Sequence, residues 1–218
     1  MLEQYKTIYE GGEGEIVEKK SRFIATVTPV KTEQEALDVI AAKKKEYWDA
    51  RHNCYAYIIG QNQEVMRCSD DGEPAQTAGR PMLDVLLGAD VYNVVVVVTR
   101  YFGGVLLGTG GLVRAYQGAV KAGLDSCAIV EQSRGRMLTI ATDYNGYGKI
   151  EYILREHQVP ISDTAFGAEV ELKVVVDETL LECLPREIAD KTSGSARLIW
   201  GDDILYGNFK GEVILFQE

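Results

Sequence analysis

"VYNVVVVVTRYFGGVLLGTGGLVRAYQGAV", residues 91–120, runs a block of valines into five glycines and then into a helical pattern. The valine block lacks polar alternation and reads as a strand buried on both faces. A helix is expected from about Leu112 to Gly123. Glycine costs backbone entropy, so a cluster calls for positive-φ turns or for close approach of another molecule. Two readings of this junction stay open. In one, Gly103 and Gly104 make a tight bend, while Gly110 and Gly111 let helix and sheet pack closely. In the other, the turn opens onto a helix N-terminus whose unpaired amides, around Thr109 to Leu112, favour an anion. Arg100 before the loop and Arg114 in the first helical turn would then flank one spot.

Spelling excludes the standard nucleotide loops. Gly103 and Gly108 have P-loop spacing, but Thr109 stands where lysine is required. A dinucleotide fingerprint fails at Val113, where a third glycine should follow Gly108 and Gly110. No cofactor is expected.

The chain has 218 residues, 46% hydrophobic and 26% charged, which describes a folded protein of one large or two small domains. No apolar stretch approaches the roughly 20 residues of a membrane span. The opening "MLEQYKTIYE" lacks a secretory layout. Cys54, Cys68, Cys127 and Cys183 are scattered without a C-x-x-C pair, as expected of small buried hydrophobes in a reducing interior. A cytoplasmic protein without membrane partners is expected.

The formal charge of −10 disfavours a general nucleic-acid coat. It is unevenly spread: residues 1–134 carry 15 Lys+Arg against 18 Asp+Glu, a balance of −3, whereas residues 135–218 carry 8 against 15, a balance of −7. Between residues 51 and 120 every basic side chain is an arginine: Arg51, Arg67, Arg80, Arg100 and Arg114. The planar guanidinium fork suits phosphate or carboxylate, and equally suits internal ion pairs.

Along the chain, "SRFIATVTPV" (21–30) reads as a strand. Thr32 and Glu35 form a capping box for a helix to about Asp49, with Leu37, Ile40, Ala41 and Trp48 expected on one face. "NCYAYIIG" and "EVMRCS" read as a hairpin around "QNQ", "DDGEPAQTAGRP" as turns, "MLDVLLGAD" as a short helix, and "CAIVEQ" as a strand. The pattern restarts near Ser133–Gly135: "RMLTIATD" as strand, a helix entered through Asp143 or Asn145, and a hairpin around Gly167. Next come a helix capped by Asp177 that Pro185 should kink or interrupt, "SARLIW" as strand, then "ILYGNF" and "GEVILF". This β-α-β-β-α-β order is the ferredoxin-like signature with an added strand, so an α+β chain is expected with domains 1–134 and 135–218.

A second constellation joins "RHNCYAY" to "RCSDDGEPAQTAGRP". His52, Asp70, Asp71 and Glu73 suggest either a metal or acid–base set, or a loop stapled by its own carboxylates. The ligand spacing is not specific, and no metal is assigned.

Taken in order, "SRF", "RHNCYAY", "SDDGEP", "TAGRPML", "VTRYFGG" and "LGTGGLVRAY" resemble the IMPACT family over residues 15–125. Gln76 departs from the pattern, where a small residue or glycine is expected before Thr77. The resemblance implies a first domain with the ribosomal protein S5 domain 2-like fold and a ferredoxin-like second domain similar to those of elongation factors. Eukaryotic relatives regulate translation initiation with an additional N-terminal module, which this chain is expected to lack. It implies a motif surface of Arg51, His52, Asp70, Asp71, Glu73, Thr77, Arg80, Arg100, Gly103, Gly104, Gly108, Gly110, Gly111 and Arg114. The expected function is a non-enzymatic, translation-associated binding protein whose glycine loop and arginines contact RNA phosphate, the ribosome or a translation factor. The alternative is a phosphate-binding enzyme of the S5-fold kinase type, with Asp70, Asp71 or Glu73 on Mg²⁺ and Arg114 on phosphate. A third reading places partner binding on the acidic second domain.

Overall fold

The computed structural model describes residues 4–210 and 212–216, and the chain divides into two compact units after Val130. The first contains β1 (Gln4–Glu10), β2 (Gly12–Glu18), β3 (Ser21–Pro29), α1 (Glu33–Glu46), β4 (His52–Ile59), β5 (Val65–Ser69), α2 (Gly79–Ala89), β6 (Val91–Tyr92), β7 (Val94–Tyr101) and α3 (Thr109–Asp125). Five strands form an antiparallel sheet in the order β2-β3-β7-β4-β5, and β1 pairs with β6 in a short parallel ladder.

The valine run occupies the central strand. Val94, Val96 and Val98 face α2 and α3, in one core with Phe23, Cys54, Met82 and Tyr116. Val95 and Val97 face α1, in a second core with Ala36, Ile40 and Tyr57. With both faces covered, alternation has no polar side to mark. Asn93, at φ 55°, separates β6 from β7 where one strand was expected.

The capping box of α1 forms: Thr32 Oγ1 accepts from Glu35 N at 3.2 Å, and the Glu35 carboxylate accepts from Lys31 N at 2.6 Å. Its buried face differs from expectation. Ala36 and Ile40 pack inward, Leu37 is exposed, and Trp48, beyond the helix end, is 82% exposed. α3 begins at Thr109 rather than Leu112, so Gly110 and Gly111 lie inside its first turn.

The second unit is built from β8 (Ala128–Thr142) from Glu131 onward, α4 (Tyr144–Glu156), β9 (Ile161–Phe166), β10 (Val170–Asp177), α5 (Cys183–Thr192), β11 (Arg197–Phe209) and β12 (Glu212–Phe216). Its strands pair antiparallel in the order β12-β11-β8-β10-β9, which is the ferredoxin-like arrangement with β12 added beside β11. Leu138, Ile140, Leu172, Val174 and Val176 meet Ile150, Ile153, Leu154, Leu184 and Ile188 in its core.

Four local expectations change here. β8 is one continuous strand through Ser133–Gly135, and "SARLIW" and "ILYGNF" join in β11 across an irregularity between Trp200 and Asp203. Pro185 sits third in α5, where no intrahelical N–H is required, so it causes no kink. The interruption falls upstream, between a 3₁₀ turn at Glu178–Leu180 and the start of α5. Cys68 and Cys183 are exposed rather than buried.

Candidate functional site

The first unit carries a cleft of about 440 Å³ whose lining includes Arg51, His52, Glu73, Arg100, Gly108 and Thr109. These residues come from four separate sequence motifs. Arg51 and His52 arrive at the start of β4, Glu73 on the turn after β5, Arg100 near the end of β7, and Gly108 and Thr109 at the N-terminus of α3.

Glu73 and Arg100 form the wall of the cleft. Arg100 Nη1 donates to Glu73 Oε1 at 2.6 Å, with side-chain exposures of 7% and 3%. Tyr116 Oη donates to the same oxygen at 2.8 Å. The Cys54 thiol lies 3.3 Å from Tyr116 Oη and 3.0 Å from the Asp70 carbonyl. Burial pushes that thiol up to about 12 and raises the Tyr116 phenol as well, so both stay protonated as donors. The guanidinium of Arg100 stands 5.4 Å from the Phe23 ring centroid and 5.7 Å from that of Phe102. Its Nε is buried without a partner.

The glycines divide between the two readings. Gly103 has backbone of Lys20 and Ser21 pressed against the position a Cβ would take, and its amide donates to Ser21 Oγ, so this glycine is required for close packing. Gly108 caps α3 at φ 72° and supplies no side-chain acceptor. Gly104 likewise has positive φ, in open space. Gly110 does not serve helix–sheet packing: a Cβ there would meet only Arg114 Nη1, at 3.7 Å. Gly111 is half-buried beside Leu107. The start of α3 is therefore uncapped, with Thr109 and Gly110 exposed.

The two cations expected to flank this spot differ from each other. Arg100 is buried and paired; Arg114 is exposed and, like Arg51, makes no ion pair among the described residues. His52 Nδ1 lies 2.9 Å from the Asp71 carbonyl. A carbonyl only accepts, so Nδ1 carries the proton, and Nε2 has no partner among the described residues.

The other motif residues hold the neighbouring loop. Asp70 accepts from Gln76 N at 2.8 Å, Ala78 N at 2.9 Å and Gly79 N at 2.8 Å. Asp71 accepts from Asn53 N and Lys44 Nζ at 2.7 and 2.6 Å. Thr77 Oγ1 donates to the Pro74 carbonyl, and Arg80 pairs with Asp84 on α2. Asp70, Asp71 and Glu73 are thus all engaged internally, and no group of three metal-type ligands occurs among the described residues. Phe102, Leu106 and Leu107 also line the cleft, and sequence reading passed over them. Their signal was an apolar run, "FGGVLL", between glycines with no strand or helix to bury it.

The Impact N-terminal domain model matches residues 19–124, and a domain of unknown function, DUF1949, matches residues 140–195. The IMPACT family member YvyE of Bacillus subtilis is 43% identical over 93% of both chains. The IMPACT family member YigZ of Escherichia coli is 36% identical over 83% of this chain and 90% of its own. A solved structure described as an hypothetical protein superposes with a TM-score of 0.59 at 33% identity, covering 91% of this chain and 98% of that one. Coverage of both units at this identity is decisive: the chain belongs to the IMPACT family.

Proposed function

We propose that this chain is a non-enzymatic, translation-associated regulatory protein of the cytoplasm that contacts RNA phosphate through the cleft of its first unit. The translation setting is what the family resemblance implies. One observation carries the site: the buried guanidinium of Arg100 lines the same cleft as the uncapped α3 N-terminus, and its Nε has no partner. Helix-start amides and a guanidinium are the donors that phosphate oxygens accept from. Arg51 and Arg114, exposed and without an ion pair among the described residues, supply further cations. The kinase-type alternative is weakened because Asp70, Asp71 and Glu73 are each taken up by internal donors.

Binding to ribosomes and to structured RNA across a salt series tests this reading. The double variant Arg51→Ala/Arg114→Ala, changed at exposed positions, should keep its melting temperature and lose most of the affinity. Equal affinity in both proteins, or none in either, would sink the proposal.

A further inference from the structure

We infer that the cleft holds one nucleoside phosphate unit, free or within single-stranded RNA, with its phosphate at Arg100 and the α3 amides and its base against Phe102; this rests on the phosphate-binding reading above. The Arg100 guanidinium has one direction left. Its Nη1 corner is taken by Glu73, and Phe23 and Phe102 stand against it at 5.4 and 5.7 Å. Its Nε is buried and unpaired, and Nη2 makes no hydrogen bond among the described residues, so the Nε–Nη2 edge is unused there. That edge presents two parallel N–H donors, the geometry that takes two oxygens of one oxyanion. A buried donor without an acceptor is costly, and an oxyanion that displaces the exposed side chain of Phe102 far enough to reach Nε removes that cost.

The second element is the start of α3. Gly108 provides no side-chain acceptor, Thr109 and Gly110 are exposed, and both Gly108 and Thr109 share the cleft with Arg100. Donors from a 17-residue helix and from a buried arginine therefore converge on one volume.

The remaining walls are apolar. Phe102 is 49% exposed and Leu106 is 83% exposed, and Pro74, Leu107 and Leu112 complete that side. Inorganic phosphate has no use for such a wall, whereas a planar base stacks on an aromatic face beside a guanidinium. The volume of about 440 Å³ falls in the range of small-molecule sites, which suits one unit. A duplex keeps its base faces stacked inside, so the RNA form of this ligand is unpaired.

Calorimetric titration tests the inference with uridine and adenosine monophosphates, ribose 5-phosphate, inorganic phosphate, and a hexanucleotide offered single-stranded or as duplex. The proteins are the full chain and its Gly110→Asp, Phe102→Ala and Arg100→Lys variants, each checked for an unchanged fold by circular dichroism. A nucleoside monophosphate or the single strand should bind at least about fivefold tighter than ribose 5-phosphate, the low end of what base–aromatic stacking contributes. Phe102→Ala should remove that preference while leaving inorganic phosphate unaffected. Gly110→Asp, placed where a side chain has room, should abolish binding of every phosphate compound, and Arg100→Lys should weaken all of them. Mononucleotide binding without RNA binding supports the nucleoside site and overturns the RNA reading. RNA binding that Phe102→Ala leaves unchanged overturns the nucleoside site and leaves the phosphate surface standing. RNA binding insensitive to Gly110→Asp, or no binding of any probe, overturns both.

Discussion

Glu73 is a carboxylate at 3% side-chain exposure that receives hydrogen bonds from Arg100 and Tyr116. Removing one partner of a buried pair costs more than the pair contributes, because the other charge is left unpaired. Glu73→Ala is expected to destabilise the first unit by about 3–5 kcal/mol, measured by urea unfolding. The double variant Glu73→Leu/Arg100→Met should recover most of that loss; a double variant as unstable as the single one contradicts this electrostatic account. Gln76 poses a backbone problem, since its φ of 62° is left-handed. That conformation costs a residue with a Cβ about 1–2 kcal/mol, of which glycine's larger unfolded-state entropy gives back about 0.5–1. Gln76→Gly should therefore melt about 1–3 °C higher by scanning calorimetry. The motif expectation of a small residue or glycine at this position had a physical basis. The role of Glu73 was not legible: its partners lie 27 and 43 residues away, and a carboxylate in "DDGEP" reads as an exposed turn residue.

At the scale of elements, the loop before α2 depends on Asp70. Ala78, the N-cap residue of α2, makes no side-chain cap bond, and Asp70 reaches across eight residues to accept from Ala78 N and nine to accept from Gly79 N. Burial alone pushes the Asp70 carboxyl up, and the amides of Gln76, Gly79 and Ala78 outweigh it, holding it below the ordinary value. A carboxyl depressed in the folded state contributes stability that is present above its unfolded pKa, near 3.9, and is lost as pH falls through the lower folded value. The stability difference between the natural chain and Asp70→Asn should be constant from about pH 5 to 7 and shrink below about pH 4. Urea midpoints at each pH measure it, and a difference that widens on acidification would refute the cap. This staple was readable in the sequence because Asp-rich turns satisfy their own amides. The strand β2 was not, since "GEGEIVE" carries the glutamates and glycines that strands usually avoid, whereas β1, "QYKTIYE", was passed over although Tyr5, Thr7, Ile8 and Tyr9 favour a strand. Pairing with β3 along its whole length makes "GEGEIVE" a strand all the same. α3 was read three residues short because the apolar pattern cannot register a first turn of threonine and two glycines.

For the whole molecule, a formal charge of −10 sets how an RNA can be held. Four of the fourteen Lys and Arg side chains of the first unit are spent on surface carboxylates: Arg22 on Glu15, Lys43 on Glu13 and Glu46, Lys44 on Asp71, and Arg80 on Asp84. Such exposed pairs leave little net field for phosphate. Near the cleft, Arg51, Arg114 and the open edge of Arg100 remain, which corresponds to about three phosphate contacts. Each contact to a single strand contributes about −0.7 to the slope of log affinity against log salt, so the expected slope is about −2. Between about 50 and 200 mM salt the affinity should then fall about 16-fold, far less than for a basic nucleic-acid coat. Fluorescence anisotropy with a labelled single-stranded oligonucleotide measures the slope directly, and Arg51→Ala should make it shallower by about 0.7. A slope steeper than about −4 would require more phosphates than this cleft can reach, and would move the RNA to a different face of the protein.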